Sequence, residues 1–327
     1  MKNNIIDLLY ALVNNFSLYF IPYDNKSRDI IYKNNFKIYK GTNGSNPFSY
    51  GILQRKSVDE ILSLNKGNDL PICLKEIFDE FIDYVDPVNL EYCFKNINSL
   101  NIKNKHTLWE HLSNFFSSSF ATGSYSPYYN KMELFTKNKS TISHEFLHMA
   151  SSANGFPNFC GFSSYKREPE KKTIYKFGEG LNEGYTELLN NRIFGYKNYS
   201  TYINNVKIAK LIECFFDNYR DMEYAYFHTD IGAVYNAFCK YGTKEEFYIV
   251  MNNLDYFADA PMVSDCILSL KTQMLLYKII KRSKDADKIK KFEDILNDNL
   301  HGVFGKFKEH DSSPKHLKLE FKKAGIY

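Results

Sequence analysis

The chain of 327 residues contains a single tryptophan and no marked excess of one charge, with 42 Lys and Arg against 38 Asp and Glu for a net +4. No apolar run approaches the roughly 20 residues of a membrane span. So mild a charge balance, with the lysines scattered, argues against nucleic acid as a partner. The opening stretch is broken by Asp7, Asn14 and Asn15 and lacks the uninterrupted apolar core of a secretory signal. The expected location is the cytoplasm, with signal-independent export left open. The cysteines, Cys73, Cys93, Cys160, Cys214, Cys239 and Cys266, are widely spread with no C-x-x-C pair. They read as buried free thiols in a reducing compartment rather than as a disulfide framework.

Apolar residues make up 44% and charged residues 24%, the usage of a folded globular chain. The 26 Tyr and 27 Phe accompany abundant Asn, Lys and Ile, a bias that AT-rich coding supplies, so abundance alone gives no tyrosine a role. The basic tail over 301–327 reads as solvated surface ahead of a contact for an acidic partner. Neither an internal repeat nor a low-complexity linker is visible, and nothing in the sequence sets an oligomeric state.

Apolar spacing predicts helices over 4–19, 57–64, 73–85 and 107–119, with turn-rich interruptions between them. Tyr128 to Phe135 alternates in the manner of a short strand. A helix follows, capped by Ser140 or Thr141 and ended by Asn154-Gly155 and Pro157. Residues 156–180 read as a long loop, then a helix runs from Leu181 to about Phe194. Further helices are expected near 201–218, 228–240, 243–252, 262–282 and 286–298.

Within the first motif helix stands His144-Glu145-Phe146-Leu147-His148. Residues four apart lie one turn above each other, so His144 and His148 can offer nitrogens to one ion. Glu145 is one residue on, beside that ion, where a general base belongs. Chance placement in such a composition gives on the order of 0.01 occurrences of the pattern. A catalytic zinc takes a third protein ligand and leaves one position open. The metzincin continuation is excluded, because Ser151 and Asn154 stand where Gly and His would be required.

A second stretch, Asn182-Glu183-Gly184-Tyr185-Thr186-Glu187, resembles the N-E-x-x-[ST]-[DE] pattern of the gluzincins, the thermolysin-like zinc peptidases. The resemblance covers about 65 residues, with 35 positions between His148 and Glu183. It implies Zn²⁺ held by His144, His148 and Glu183, with Glu187 bonded to the far nitrogen of a ligand histidine. It also implies that Glu145 takes the proton of an attacking water and passes one to the leaving amine. The substrate, a peptide or protein, would pair with the open edge of a strand beside the helix, and Tyr128–Phe135 is expected to be that strand, with Asn130 and Met132 in contact. An oxyanion stabiliser is expected from Tyr224, Tyr226 or His228, with His228 first. Arg192 reads as a structural ion-pair partner.

The expected fold is α+β and mainly helical. A helical N-terminal region covers 1–105, and a zincin-like core with a small strand-containing lobe and both motif helices covers 106–200. A helical C-terminal lobe over 201–327 would complete the cleft. The function implied is a zinc metalloendopeptidase. The alternative is a metal-bound scaffold or regulatory binding protein that keeps the motif without turnover. Intact Glu145 speaks against it, because a structural zinc has no use for a base. A regulator that cleaves a repressor would call for a helix-turn-helix, and none is clear in the chain.

Overall fold

The computed structural model describes residues 77, 100–103, 106–107, 122–127, 129–136, 138–152, 159–168, 173–196, 202–259 and 266–304. The helices expected over 4–19 and 57–64 lie outside these residues, as does that over 73–85 except for Ile77, which is helical and buried. The helix expected over 107–119 also lies outside them, apart from Thr107, which is not helical. The described part is mainly helical with two small sheets, an α+β arrangement.

Strands β1 (Asn101–Lys103), β2 (Gly123–Ser126) and β3 (Lys131–Leu134) form the first sheet in the order β1-β3-β2. β3 runs parallel to β1 and antiparallel to β2, with Tyr125 opposite Met132 and Gly123 opposite Leu134. Alternation decides the faces: Met132 and Leu134 are buried, while Lys131 and Glu133 point to the wetter side and pair there. Helix α1 (Lys139–Ala150) follows and packs against β2. Its cap is Asn138, whose side chain accepts from the Ser140 N–H at 2.9 Å, and it ends at Ala150. The expected boundaries, Ser140 or Thr141 and Asn154, were too far along at both ends.

Residues 156–180 are not a structureless loop. β4 (Phe159–Cys160), β5 (Ser163–Glu168) and β6 (Thr173–Phe177) form a second antiparallel sheet there, in the order β4-β5-β6. Thr173-Ile174-Tyr175-Lys176-Phe177 is β-branched and aromatic, a strand signal that a count of Gly, Ser and charge hides.

Helix α2 (Glu179–Phe194) carries the second motif and ends at Gly195 in the left-handed region. α3 (Ile203–Glu213) packs along it, with Gly184 allowing the backbones to touch: a Cβ there would lie 2.5 Å from the Asn205 carbonyl carbon. The chain then breaks at Asn218, whose side chain caps α4 (Tyr219–Phe227), and at Asp230, which caps α5 (Ile231–Cys239). α6 (Lys244–Asp259) opens on a capping box, Thr243 and Glu246 bonding each other's backbone N–H. α7 (Cys266–Ile280) and α8 (Ala286–Phe304) complete the helical part. One connected apolar core runs from Ile102 and Met132 through Phe146, Tyr185 and Phe238 to Phe292 and Leu296. No helix is long and apolar enough to cross a membrane among the described residues. Cys160, Cys214 and Cys239 are free thiols.

Candidate metal centre

α1 and α2 pack against each other and each turns one polar face into the seam between them. Ser143 and Asn190 tie the helices together by a hydrogen bond, and Asn190 also donates to the Ser140 carbonyl at 3.0 Å. One turn further along, the same seam holds His144, His148, Glu183 and Glu187. α2 is fixed from outside as well. Its N-terminal Gly178 provides no side chain to cap the helix, and Asp255 of α6 does so instead, accepting from the N–H groups of Gly178 at 3.0 Å and Gly180 at 2.8 Å.

The Nε2 atoms of His144 and His148 are 3.0 Å apart, and Glu183 Oε2 is 3.1 Å from the first and 3.3 Å from the second. Four tetrahedral ligands about 2.0–2.1 Å from a zinc ion stand about 3.3–3.4 Å from one another. The triangle is therefore that of three ligands of one small divalent ion, slightly drawn in. Two imidazoles and a carboxylate are the donors that transition metals prefer over calcium or magnesium. These residues thus fit a metal, and they are the group able to hold one among the described residues.

The remote nitrogens are also met. Glu187 Oε2 lies 3.0 Å from Nδ1 of His144. Around Nδ1 of His148 stand Asn182 Nδ2 at 3.2 Å, Thr186 Oγ1 at 3.5 Å and Cys160 Sγ at 3.8 Å. Tyr226 reaches the same place from α4, its hydroxyl 2.6 Å from Thr186 Oγ1. Cys160 arrives from a separate strand that no motif marks, while Tyr226, expected as an oxyanion candidate behind His228, stands instead beside Thr186 and the remote nitrogen of His148. Asn182 and Thr186 sit in the second motif, where they hold only pattern positions in the sequence.

Charge organises the cluster. Burial works against an imidazolium at His144, yet the hydrogen bonds from Glu183 and Glu187 override it and raise the group to about 9. At His148 burial acts in the same sense and is again overcome, chiefly by the charge of Glu183. Burial would raise Glu183, but the two histidines hold its carboxyl far below the usual range. Glu145 behaves differently: it is buried, pushed upward by that burial, and drawn back by the charges of His144 and His148.

The structure places the remaining expected residues as follows. Glu145 lies against β2, where Gly123 passes over its side chain. Met132 is fully buried, and the strand expected over 128–135 is β3 at Lys131–Leu134, which is paired on both sides and offers no open edge. Asn130 is a turn residue with φ 43°, its side chain accepting from the Tyr125 hydroxyl at 2.8 Å. The outer strands of this sheet are β1 and β2, each paired with β3 alone among the described residues, and of the two it is β2 that packs against α1. His228 is the C-cap of α4, its ring stacked on exposed Tyr224 and its Nδ1 2.8 Å from the Tyr224 carbonyl oxygen. The side chain that α4 sends to the cluster is Tyr226, two residues away and on the other side of the helix. Arg192 pairs with Glu213 at 2.9 Å, the structural role expected of it.

No family model matches the chain, and neither a curated protein nor a solved structure shows significant similarity to it.

Proposed function

We propose that the chain is a zinc-dependent metallopeptidase with a zincin-like core. The observation that carries this reading is the convergence of His144 Nε2, His148 Nε2 and Glu183 Oε2 beside the buried carboxyl of Glu145. Zinc held by these three groups supplies Lewis-acid chemistry, polarising a peptide carbonyl and lowering the pKa of water. Glu145 takes a proton from the attacking water on its carboxylate and delivers one to the leaving amine nitrogen. Burial pushes this carboxyl upward, the direction that helps a group take up a proton and return it. Glu187 fixes the ring of His144 by accepting from Nδ1–H. An extended peptide would pair with β2, whose backbone crosses Glu145, which brings the scissile bond beside the water that Glu145 deprotonates.

A metal-bound scaffold without turnover is the competing reading. Three donors with no fourth among the described residues, and a buried carboxyl beside them, favour chemistry over a closed structural site. The test joins elemental analysis of the purified protein with cleavage of denatured casein by the parent chain and Glu145→Gln. About one zinc per chain, with cleavage lost in the variant, supports the peptidase. No metal uptake after incubation with zinc, or equal cleavage by both proteins, overturns it.

A further inference from the structure

We infer that Tyr202 is a positioning residue for the metal group, an inference that rests on the metal-binding reading above. Tyr202 precedes α3 with φ 55° and ψ 30°, the left-handed region, and its side chain makes no capping hydrogen bond there. A residue with a Cβ adopts that backbone at a cost, whereas glycine adopts it freely. Such strain persists where the surroundings over-determine it. Here the surroundings are visible. Three residues on, Asn205 donates to the carbonyls of Gly180 at 3.0 Å and Leu254 at 2.8 Å, and its backbone lies against Gly184. α3 cannot slide along α2 without breaking these bonds.

That register sets the ring of Tyr202 parallel to the imidazole of His144, with an interplanar angle of 13° and centroids 6.2 Å apart. The separation falls within the range of interacting aromatic pairs. Glu183 and Glu187 hold His144 by its two nitrogens, and His148 meets it edge-on. These contacts fix the imidazole in its plane. The partly exposed Tyr202 ring stands nearly parallel to it on the side that these contacts leave, where it limits tilting of the imidazole. A tyrosine in place of the glycine that this backbone prefers is thus explained by the ring it sets beside His144.

The test uses the full chain, Tyr202→Phe and Tyr202→Gly, each loaded with Co²⁺, whose visible absorption reports ligand geometry. Cobalt affinity is read by competition with a chelator, and the melting temperature of the metal-free proteins is recorded alongside. Tyr202→Phe is expected to keep the parent spectrum and an affinity within about twofold, because the ring remains. Tyr202→Gly is expected to shift the cobalt bands and weaken binding by about 10–100-fold, the range for lost supporting groups around a metal. Its metal-free melting temperature is expected to stay within about 3 °C of the parent, since relief of the left-handed backbone offsets the lost ring packing. A glycine variant with the parent's spectrum and affinity overturns the inference, and so does one that loses cobalt only together with a fall of about 10 °C in metal-free melting. A parent chain that takes up no cobalt removes the metal-binding reading itself, and this inference with it.

Discussion

A Cβ placed on Gly123 would lie 2.7 Å from Thr141 Cγ2 and 3.0 Å from Glu145 Oε1, so the backbone of β2 rests directly on the carboxyl beside the metal group. Only glycine permits that approach. Gly123→Ala is therefore expected to displace Glu145 or the strand by a few tenths of an ångström to an ångström, a misplacement that costs about 10²-fold in rate. Metal content should stay that of the parent, because His144, His148 and Glu183 are untouched. Elemental analysis beside casein cleavage checks this, and a variant with full activity would show that β2 does not set the position of the base.

Removing the base without removing its shape separates chemistry from binding. Glu145→Gln should keep the metal and lower turnover by about 10²–10⁴-fold, the usual contribution of a general base. The isosteric amide fills the same space, so a loss of stability comparable to the loss of rate would point to a structural role.

Glu187 tests the support of a ligand. Its carboxylate accepts from Nδ1 of His144 at 3.0 Å and is itself buried. Glu187→Ala should weaken zinc binding by about 10–100-fold, measured by chelator competition, with Glu187→Gln in between because the amide oxygen still accepts. Equal affinities across the three proteins would mean that Glu183 and the histidine spacing alone fix the ring.

The site was legible where chemistry is written at fixed spacing. Helical periodicity alone places His144, Glu145 and His148, and the second motif adds Glu183 and Glu187, since a turn of helix is a short-range rule. What escaped was long-range. Asp255, Cys160 and Tyr202 reach the seam from three separate elements with no local pattern to couple them to it, and Tyr226 ranks behind His228 because the sequence does not say which face of α4 turns inward. The second sheet was missed because β5 and β6 carry charge and lie in a region rich in Gly and Ser, where composition outweighed the β-branched and aromatic run Thr173–Phe177. The wrong edge was chosen because β2 and β3 are joined as a hairpin, and alternation does not say which partner is covered by a third strand. The helix expected over 201–218 stops at Glu213, and α4 (Tyr219–Phe227), which starts on the Asn218 cap, falls in the gap left between the helices expected over 201–218 and 228–240.

Asp255 bonds two N–H groups of the first turn of α2, although it belongs to α6. Asp255→Ala leaves these buried donors unpaired, at about 1–3 kcal/mol. The expected result is a lower melting temperature together with weaker metal binding, because Glu183 sits one turn from the cap. Asp255→Asn, which retains one acceptor, should recover part of both. A melting temperature that falls while zinc affinity is unchanged would show that the cap stabilises α2 without aligning Glu183.

The cluster also sets a pH dependence for the metal-free protein. His144 is raised from 6.5 to about 9 by its two carboxylate partners, so its protonated form is bound more tightly in the folded chain than in the unfolded one. The resulting stability is fully present below pH 6.5 and is lost as pH rises through about 9, with a magnitude on the order of 3 kcal/mol. Glu183 acts in the opposite sense: its carboxyl is lowered, so its contribution is present above its ordinary value of 4.5 and fades as the solution is acidified. Melting of the chelator-treated protein should therefore be highest between about pH 5 and 6.5 and fall toward pH 9. With zinc bound, both imidazoles are neutral ligands and the alkaline decline should disappear. Parallel melting curves with and without zinc across this range would mean that the two carboxylates do not govern the protonation of His144.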